Sequence, residues 1–144
     1  MMTRAVFFDV DFTLIYPGPT LQGEGYGLFC ARHGVTVDTA RFRPTSDGVR
    51  APLTGSPCNH PDLWVVGTVG RLQRVKDQVT LARAFVRALA ITPGAAARMR
   101  LAIIGDGPLR AEVEGILAQA RVAHLAWLPG ERTDVPAILR GLDC

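Results

Sequence analysis

Two stretches of this chain place reactive side chains at spacings a fold can use. The first is Asp9-Val10-Asp11-Phe12-Thr13, directly after the apolar run 4–8. An apolar run closing on acids reads as a buried strand whose carboxyl end carries them. If the strand geometry persists, residues two apart point to the same side, so Asp9 and Asp11 face one space. Such a pair suits phosphoryl chemistry, one carboxylate attacking phosphorus and the other protonating the leaving oxygen. A divalent cation between them would offset their repulsion and the phosphate charge. Two solvated acids at a strand end are the plain alternative.

The second stretch is Gly70-Arg71-Leu72-Gln73-Arg74-Val75-Lys76, between an apolar run and a helix start. Backbone N–H groups at a helix N-terminus and the positive end of its dipole favour phosphate. Arg71 can grip two phosphate oxygens, and Lys76 adds a compact point charge. Lys76 is the only Lys in the chain, against fifteen Arg, which hints that an ammonium is wanted there. Here the plain alternative is two surface cations beside a helix.

The elements that would position these residues follow from periodicity. Residues 16–23 form a loop by Pro and Gly content, 24–33 read as a helix, and 43–61 read as an irregular linker. The run 63–69 is a buried strand. Asp77 is a candidate N-cap for a helix over 78–91, with Leu81, Phe85 and Leu89 on one face. Residues 100–104 are the next strand. Gly107-Pro108 predicts a helix with Pro at its first position, striped by Leu109, Val113, Ile116, Leu117 and Ala120. A third strand is predicted over 123–128, a turn at Pro129-Gly130, and a short helix from Asp134 to Arg140. Leu142-Asp143-Cys144 reads as the start of a further strand. Strands alternating with helices predict an α/β fold: a Rossmann-like parallel sheet, helices on both faces, right-handed crossovers.

Composition excludes several classes. With 48% hydrophobic and 20% charged residues among 144, the chain is not a disordered one. No apolar run approaches the roughly 18–20 residues of a membrane span. Asp9 and Asp11 interrupt the N-terminal run before it reaches signal-peptide length. The net charge of +3 is scattered, which argues against a nucleic-acid surface. Cys30, Cys58 and Cys144 are far apart, as are His33, His60 and His124, so neither a disulfide framework nor a zinc site is expected. A reducing cytoplasm is the expected compartment.

Two family resemblances bear on these stretches. Residues 5–14, Ala-Val-Phe-Phe-Asp-Val-Asp-Phe-Thr-Leu, resemble the first motif of haloacid-dehalogenase-like phosphohydrolases, and the likeness extends over residues 4–42. It implies Asp9 as the nucleophile that becomes aspartyl-phosphate and Asp11 as acid/base. It also implies Mg2+ held by the Asp9 carboxylate and the Asp11 carbonyl. The family further needs a Ser/Thr after a second strand, a Lys and a late acidic pair. Lys76 and Gly105-Asp106 do not supply these, since Arg110 stands where the second acid belongs.

Residues 64–144 resemble the C-terminal, donor-binding half of retaining GT-B glycosyltransferases of the bacterial exopolysaccharide and lipopolysaccharide type. The blocks that carry this are Gly67-Thr68-Val69-Gly70-Arg71-Leu72 with Lys76-Asp77, then Leu101-Ala102-Ile103-Ile104-Gly105-Asp106-Gly107-Pro108, then Leu128-Pro129-Gly130-Glu131-Arg132. The resemblance implies a nucleotide-sugar donor, an acceptor glycan or lipid-linked sugar, and no cofactor. Gly70, Arg71 and Lys76 would take the donor diphosphate. Gly105, Asp106 and Gly107 would form a donor loop, and Gly130, Glu131 and Arg132 would cradle the base. The family's acidic loop would follow the strand begun by Leu142-Asp143-Cys144, and its acceptor half would precede residue 64. Residues 34–44 resemble the segment that leads into the donor domain.

The expected organisation is a hydrolase-like fragment over 1–42, a linker over 43–61 and a C-terminally truncated donor domain over 62–144, two gene pieces joined near the shared stretch 37–42. Three functions stay open: a glycosyltransferase fragment, a Mg2+-dependent phosphohydrolase, and a βα domain without a ligand. The first two each lack family parts, so turnover by the chain alone is not expected.

Overall fold

The computed structural model describes residues 49–144. Asp9, Asp11 and the remaining expectations for residues 1–48 lie outside the described residues. Strand β1 spans Trp64–Val69. A 3-10 turn at Arg74–Lys76 leads into helix α1, Gln78–Ile91. The one-turn helix α2, Ala95–Arg98, precedes strand β2, Met99–Ile104. Helix α3 is Arg110–Gln119, and a second 3-10 turn, Ala123–Leu125, introduces strand β3, Ala126–Gly130. Helix α4 is Val135–Arg140.

The three strands form a parallel sheet in the order β1-β2-β3. Central β2 is buried on both sides. Leu101 and Ile103 face one core with Leu72 of the loop after β1, Val79, Ala82 and Phe85 of α1, and Val113 and Leu117 of α3. Ala102 and Ile104 face a second core with Val65, Leu53, Cys58 and Ile138 of α4. Helices therefore cover both faces, which is why β2 reads as a continuous apolar run. Asp77 caps α1 from a left-handed conformation (φ 50°), its carboxylate accepting from Thr80 N at 3.3 Å.

Residues 49–61 carry no helix or strand, in keeping with their Pro and Gly content, yet they are packed against the sheet. Leu53 and Cys58 are buried in the second core. Ala51 N donates to Arg140 O at 3.0 Å. Leu142–Cys144 run beside β1, on the edge away from β2. Cys144 N donates to Val65 O at 3.3 Å, and Gly67 N donates to Cys144 O at 2.7 Å, the alternation of a parallel ladder. This fits the strand start read there. Gly67 allows the approach, because a Cβ on it would sit 2.6 Å from both Leu142 methyls.

Three local expectations are corrected. Pro108 is not the first residue of a helix: Arg110 N closes a turn on Gly107 O at 3.1 Å, Leu109 is the N-cap, and α3 starts at Arg110, its first helical bond running from Val113 N to Leu109 O at 3.1 Å. The third strand lies later than the predicted 123–128, since Ala123–Leu125 form the 3-10 turn. Pro129-Gly130 finish that strand and do not turn it. Pro is accepted there because β3 is an edge strand among the described elements, where the missing N–H breaks no ladder.

Candidate functional site

The strand register creates the site. Val69 pairs with Ile104, and Ile104 with Gly130, so the carboxyl ends of all three strands lie in one row. The chain just beyond each end is laced to its neighbour. Gly70 N donates to Ile104 O (2.9 Å), Gly105 N to Gly130 O (2.8 Å) and Leu72 N to Asp106 O (3.0 Å). Gly105 adopts φ +126°, and a Cβ on it would fall 2.1 Å from Gly70 O. No side chain fits that conformation or that space.

Above this main-chain floor opens a cavity of about 920 Å³. It is lined by Gly70 and Arg71 after β1, by Gly105, Asp106 and Gly107 after β2, and by Glu131 and Arg132 after β3. These seven were candidate site residues in the sequence, and one cavity collects them. Gly130 lies just behind the wall, its carbonyl bonded to Gly105. Lys76 stands apart. It closes the 3-10 turn before α1, is half-buried, and does not line the cavity.

The charges at the cavity differ in how they are held. Arg132 makes a two-pronged contact with Asp134, Nε to Oδ1 at 2.9 Å and Nη2 to Oδ2 at 2.8 Å. Its guanidinium carbon stands 5.9 Å from the centre of the Trp127 ring. The Asp134 bond raises the Arg132 pKa, and the Arg132 bond holds the Asp134 carboxyl below its ordinary value. Asp106 accepts from Gly107 N at 2.7 Å, and its other oxygen is 4.0 Å from Arg110. Arg110 also reaches Leu128 O at 2.7 Å and Glu114 at 2.8 Å. It thereby ties the loop after β2 to strand β3. Arg71 is exposed, and its guanidinium has no ion-pair partner among the described residues. Among those residues, no cluster of three His, Cys, Asp or Glu side chains could hold a metal ion.

Three supporting residues were not anticipated as parts of a site. Arg110 sits four residues after Asp106, and Asp134 two after Arg132, spacings that carry a local signal once the strands are fixed. Gln78 gave none. It is buried at the start of α1, and its Nε2 donates to Arg71 O at 3.2 Å.

No family model and no curated protein matches the chain. Solved structures do. The C-terminal domain of the glycosyl transferase group 1 family protein LpcC from Francisella tularensis is similar over 74% of this chain, at 20% identity and a TM-score of 0.52. The described residues form an α/β fold whose three-stranded parallel sheet matches part of that GT-B glycosyltransferase domain. Weaker likenesses are to a TarM mutant from S. aureus, in complex with fondaparinux, α-GlcNAc-glycerol and UDP (16% identity, TM-score 0.48, 64% of this chain). Another is to the lipopolysaccharide outer core galactosyltransferase WaaB (22%, 0.40, 82%). The chain spans 55% of the LpcC domain, 17% of the TarM chain and 31% of WaaB. The haloacid-dehalogenase likeness of residues 4–42, which lie outside the described residues, gains no support from these comparisons. No helix among the described residues is long and apolar enough to cross a membrane.

Proposed function

We propose that this chain contributes the donor-binding part of a glycosyltransferase and that the cavity takes a nucleoside diphosphate sugar. One observation carries the reading. A cavity of about 920 Å³ at the carboxyl ends of parallel strands combines a glycine-built floor with Arg71, a cation free of ion pairs among the described residues. Open α/β sheets bind ligands at that end. The sequence resemblance of residues 64–144 and the fold shared with the LpcC domain support it.

In this reading the diphosphate lies beside Gly70 and Gly107, where no side chain stands between it and the backbone, and Arg71 grips its oxygens. Lys76, in the neighbouring 3-10 turn, adds a second positive charge near that end of the site. As the sugar–phosphate bond breaks, negative charge grows on the departing diphosphate, and Arg71 stabilises it there. Glu131 is a poor neighbour for phosphate but a good acceptor for hydroxyl or base N–H groups, so the base end lies toward Glu131 and Arg132. Arg132 is held by Asp134 and orders that loop. The cytoplasm remains the proposed compartment.

Calorimetric titration with UDP and GDP tests the assignment. A charge-assisted bond is worth roughly 1.5–3 kcal/mol, so Arg71→Ala should weaken binding about ten- to a hundredfold. Added salt should weaken it as well. Arg83→Ala and Arg87→Ala, exposed on α1 away from the cavity, should change little. Equal loss in all three variants would mean diffuse attraction and no site. No binding by the unaltered chain at millimolar ligand would remove the donor reading.

A further inference from the structure

Gln78 is a polar side chain in a place built for an apolar one. It is 1% exposed, follows the Asp77 cap, and precedes Val79, which packs in the core of α1. Its amide uses little of its bonding capacity. Nε2 donates to Arg71 O at 3.2 Å, while Oε1 is a buried acceptor with no partner, the only such side-chain atom among the described residues. Turning the amide over would set two oxygens face to face, so the observed orientation is the one that bonds. A buried acceptor left unpaired disfavours the folded state. A methionine of similar length would fill the space without that penalty. What the amide provides in return is one bond to the main chain of Arg71, a residue that lines the cavity. The same amide lies 4.0 Å from where a Cβ on Gly70 would be, directly behind the loop.

We propose that Gln78 is a positioning residue for Arg71, trading stability for a fixed loop. This rests on the donor-site reading for its consequence, not for its structural content. Gly70 and Leu72 are held by Ile104 and Asp106 on one side of the loop. Gln78 holds the intervening Arg71 peptide from the helix side. The three anchors together fix the direction in which the Arg71 side chain leaves the backbone.

The test uses Gln78→Met, with Gln78→Glu as a second variant that keeps the shape and exchanges the donor for an acceptor. Amide hydrogen exchange is followed over residues 70–73 in the ligand-free chain, together with the thermal midpoint and UDP affinity. Gln78→Met should keep or raise the midpoint, speed exchange in the loop, and weaken UDP binding about two- to tenfold, the worth of one neutral hydrogen bond. On an Arg71→Ala background the same substitution should leave affinity unchanged. Gln78→Glu should also speed exchange. Unchanged loop exchange in both variants overturns the proposal, as does a loss of affinity on the Arg71→Ala background equal to that on the unaltered one. A lowered midpoint with unaltered exchange and affinity would make Gln78 an ordinary core residue. If the unaltered chain binds no UDP, the donor reading fails, and loop exchange alone still decides whether Gln78 holds Arg71.

Discussion

Replacing Gly105 by alanine probes the close approach on which the whole cavity depends. The added Cβ would lie 2.1 Å from Gly70 O and 2.9 Å from its carbonyl carbon, both main-chain atoms with nowhere to go. The backbone there is also at φ +126°. Holding an L side chain on that left-handed side costs roughly 1–2 kcal/mol per residue. Relieving the clash requires parting the loops, and two bonds hold them at this point, Gly70 N to Ile104 O and Gly105 N to Gly130 O. Each is worth about 0.5–1.5 kcal/mol, which brings the expected destabilisation to about 2–5 kcal/mol. Two other glycines separate the causes. Gly94 has φ +78° but open space around its Cβ position, so Gly94→Ala should cost only about 1–2 kcal/mol. Gly115 sits within α3 with nothing nearby, and Gly115→Ala should stabilise by about 0.5–1 kcal/mol. Urea unfolding followed by circular dichroism measures all three. A Gly105→Ala cost no greater than that of Gly94→Ala would refute the tight lacing of the loops.

Other perturbations address separate parts of the structure. Ile103→Ala, in a fully buried position of the central strand, should cost about 2–5 kcal/mol in the same unfolding assay. Asp143 accepts from Val65 N (2.8 Å) and from Arg50 (3.3 Å), so Asp143→Ala should destabilise by about 1.5–3 kcal/mol, and Asp143→Asn by less because it keeps an acceptor. Asp134 should titrate below an ordinary carboxyl in carbon-detected NMR and return toward it in Arg132→Ala. Because the folded-state value is depressed, the contribution of this pair is present above the ordinary carboxyl range and lost as pH falls through the folded value. Burial raises the Cys58 thiol pKa, so a thiol reagent mapped by peptide mass spectrometry should label exposed Cys144 quickly and Cys58 only on unfolding.

Local patterns made much of this fold legible. Helix α1 falls on the predicted 78–91, because a long amphipathic period and an Asp cap are both read from neighbouring residues. The glycine loops after each strand were also visible, and the register brings them together. Misreadings arose where distant partners decide. The segment before α3 is laced to Leu72, far back in the chain, and closes as a turn from Gly107 O to Arg110 N, so Leu109 caps the helix from outside it. The apolar run at 123–128 looks like a strand, but Leu125 instead seals the core from a 3-10 turn. The roles of Arg50 and Asp143 depend on a contact across 93 positions. Gln78 escaped notice because nothing in its sequence neighbours sets a core amide apart from a surface one.

The packing of residues 49–61 beside Leu142–Cys144 bears on the order in which this unit can be built. Arg50 meets Asp143, Ala51 N meets Arg140 O, and Leu53 lies against Gly141 so closely that a Cβ there would be 2.4 Å from its methyl. The first and last described segments are thus buttoned to each other, closing a loop that contains every strand and helix between them. During synthesis, the button cannot fasten until residue 143 has left the ribosome. Until then the last part of the Leu53 seat, at Gly141 and Leu142, is missing, while α1 and α3 can already close the other face. Tension applied across the two ends would load this button first, leaving the laced floor of the cavity to yield afterwards.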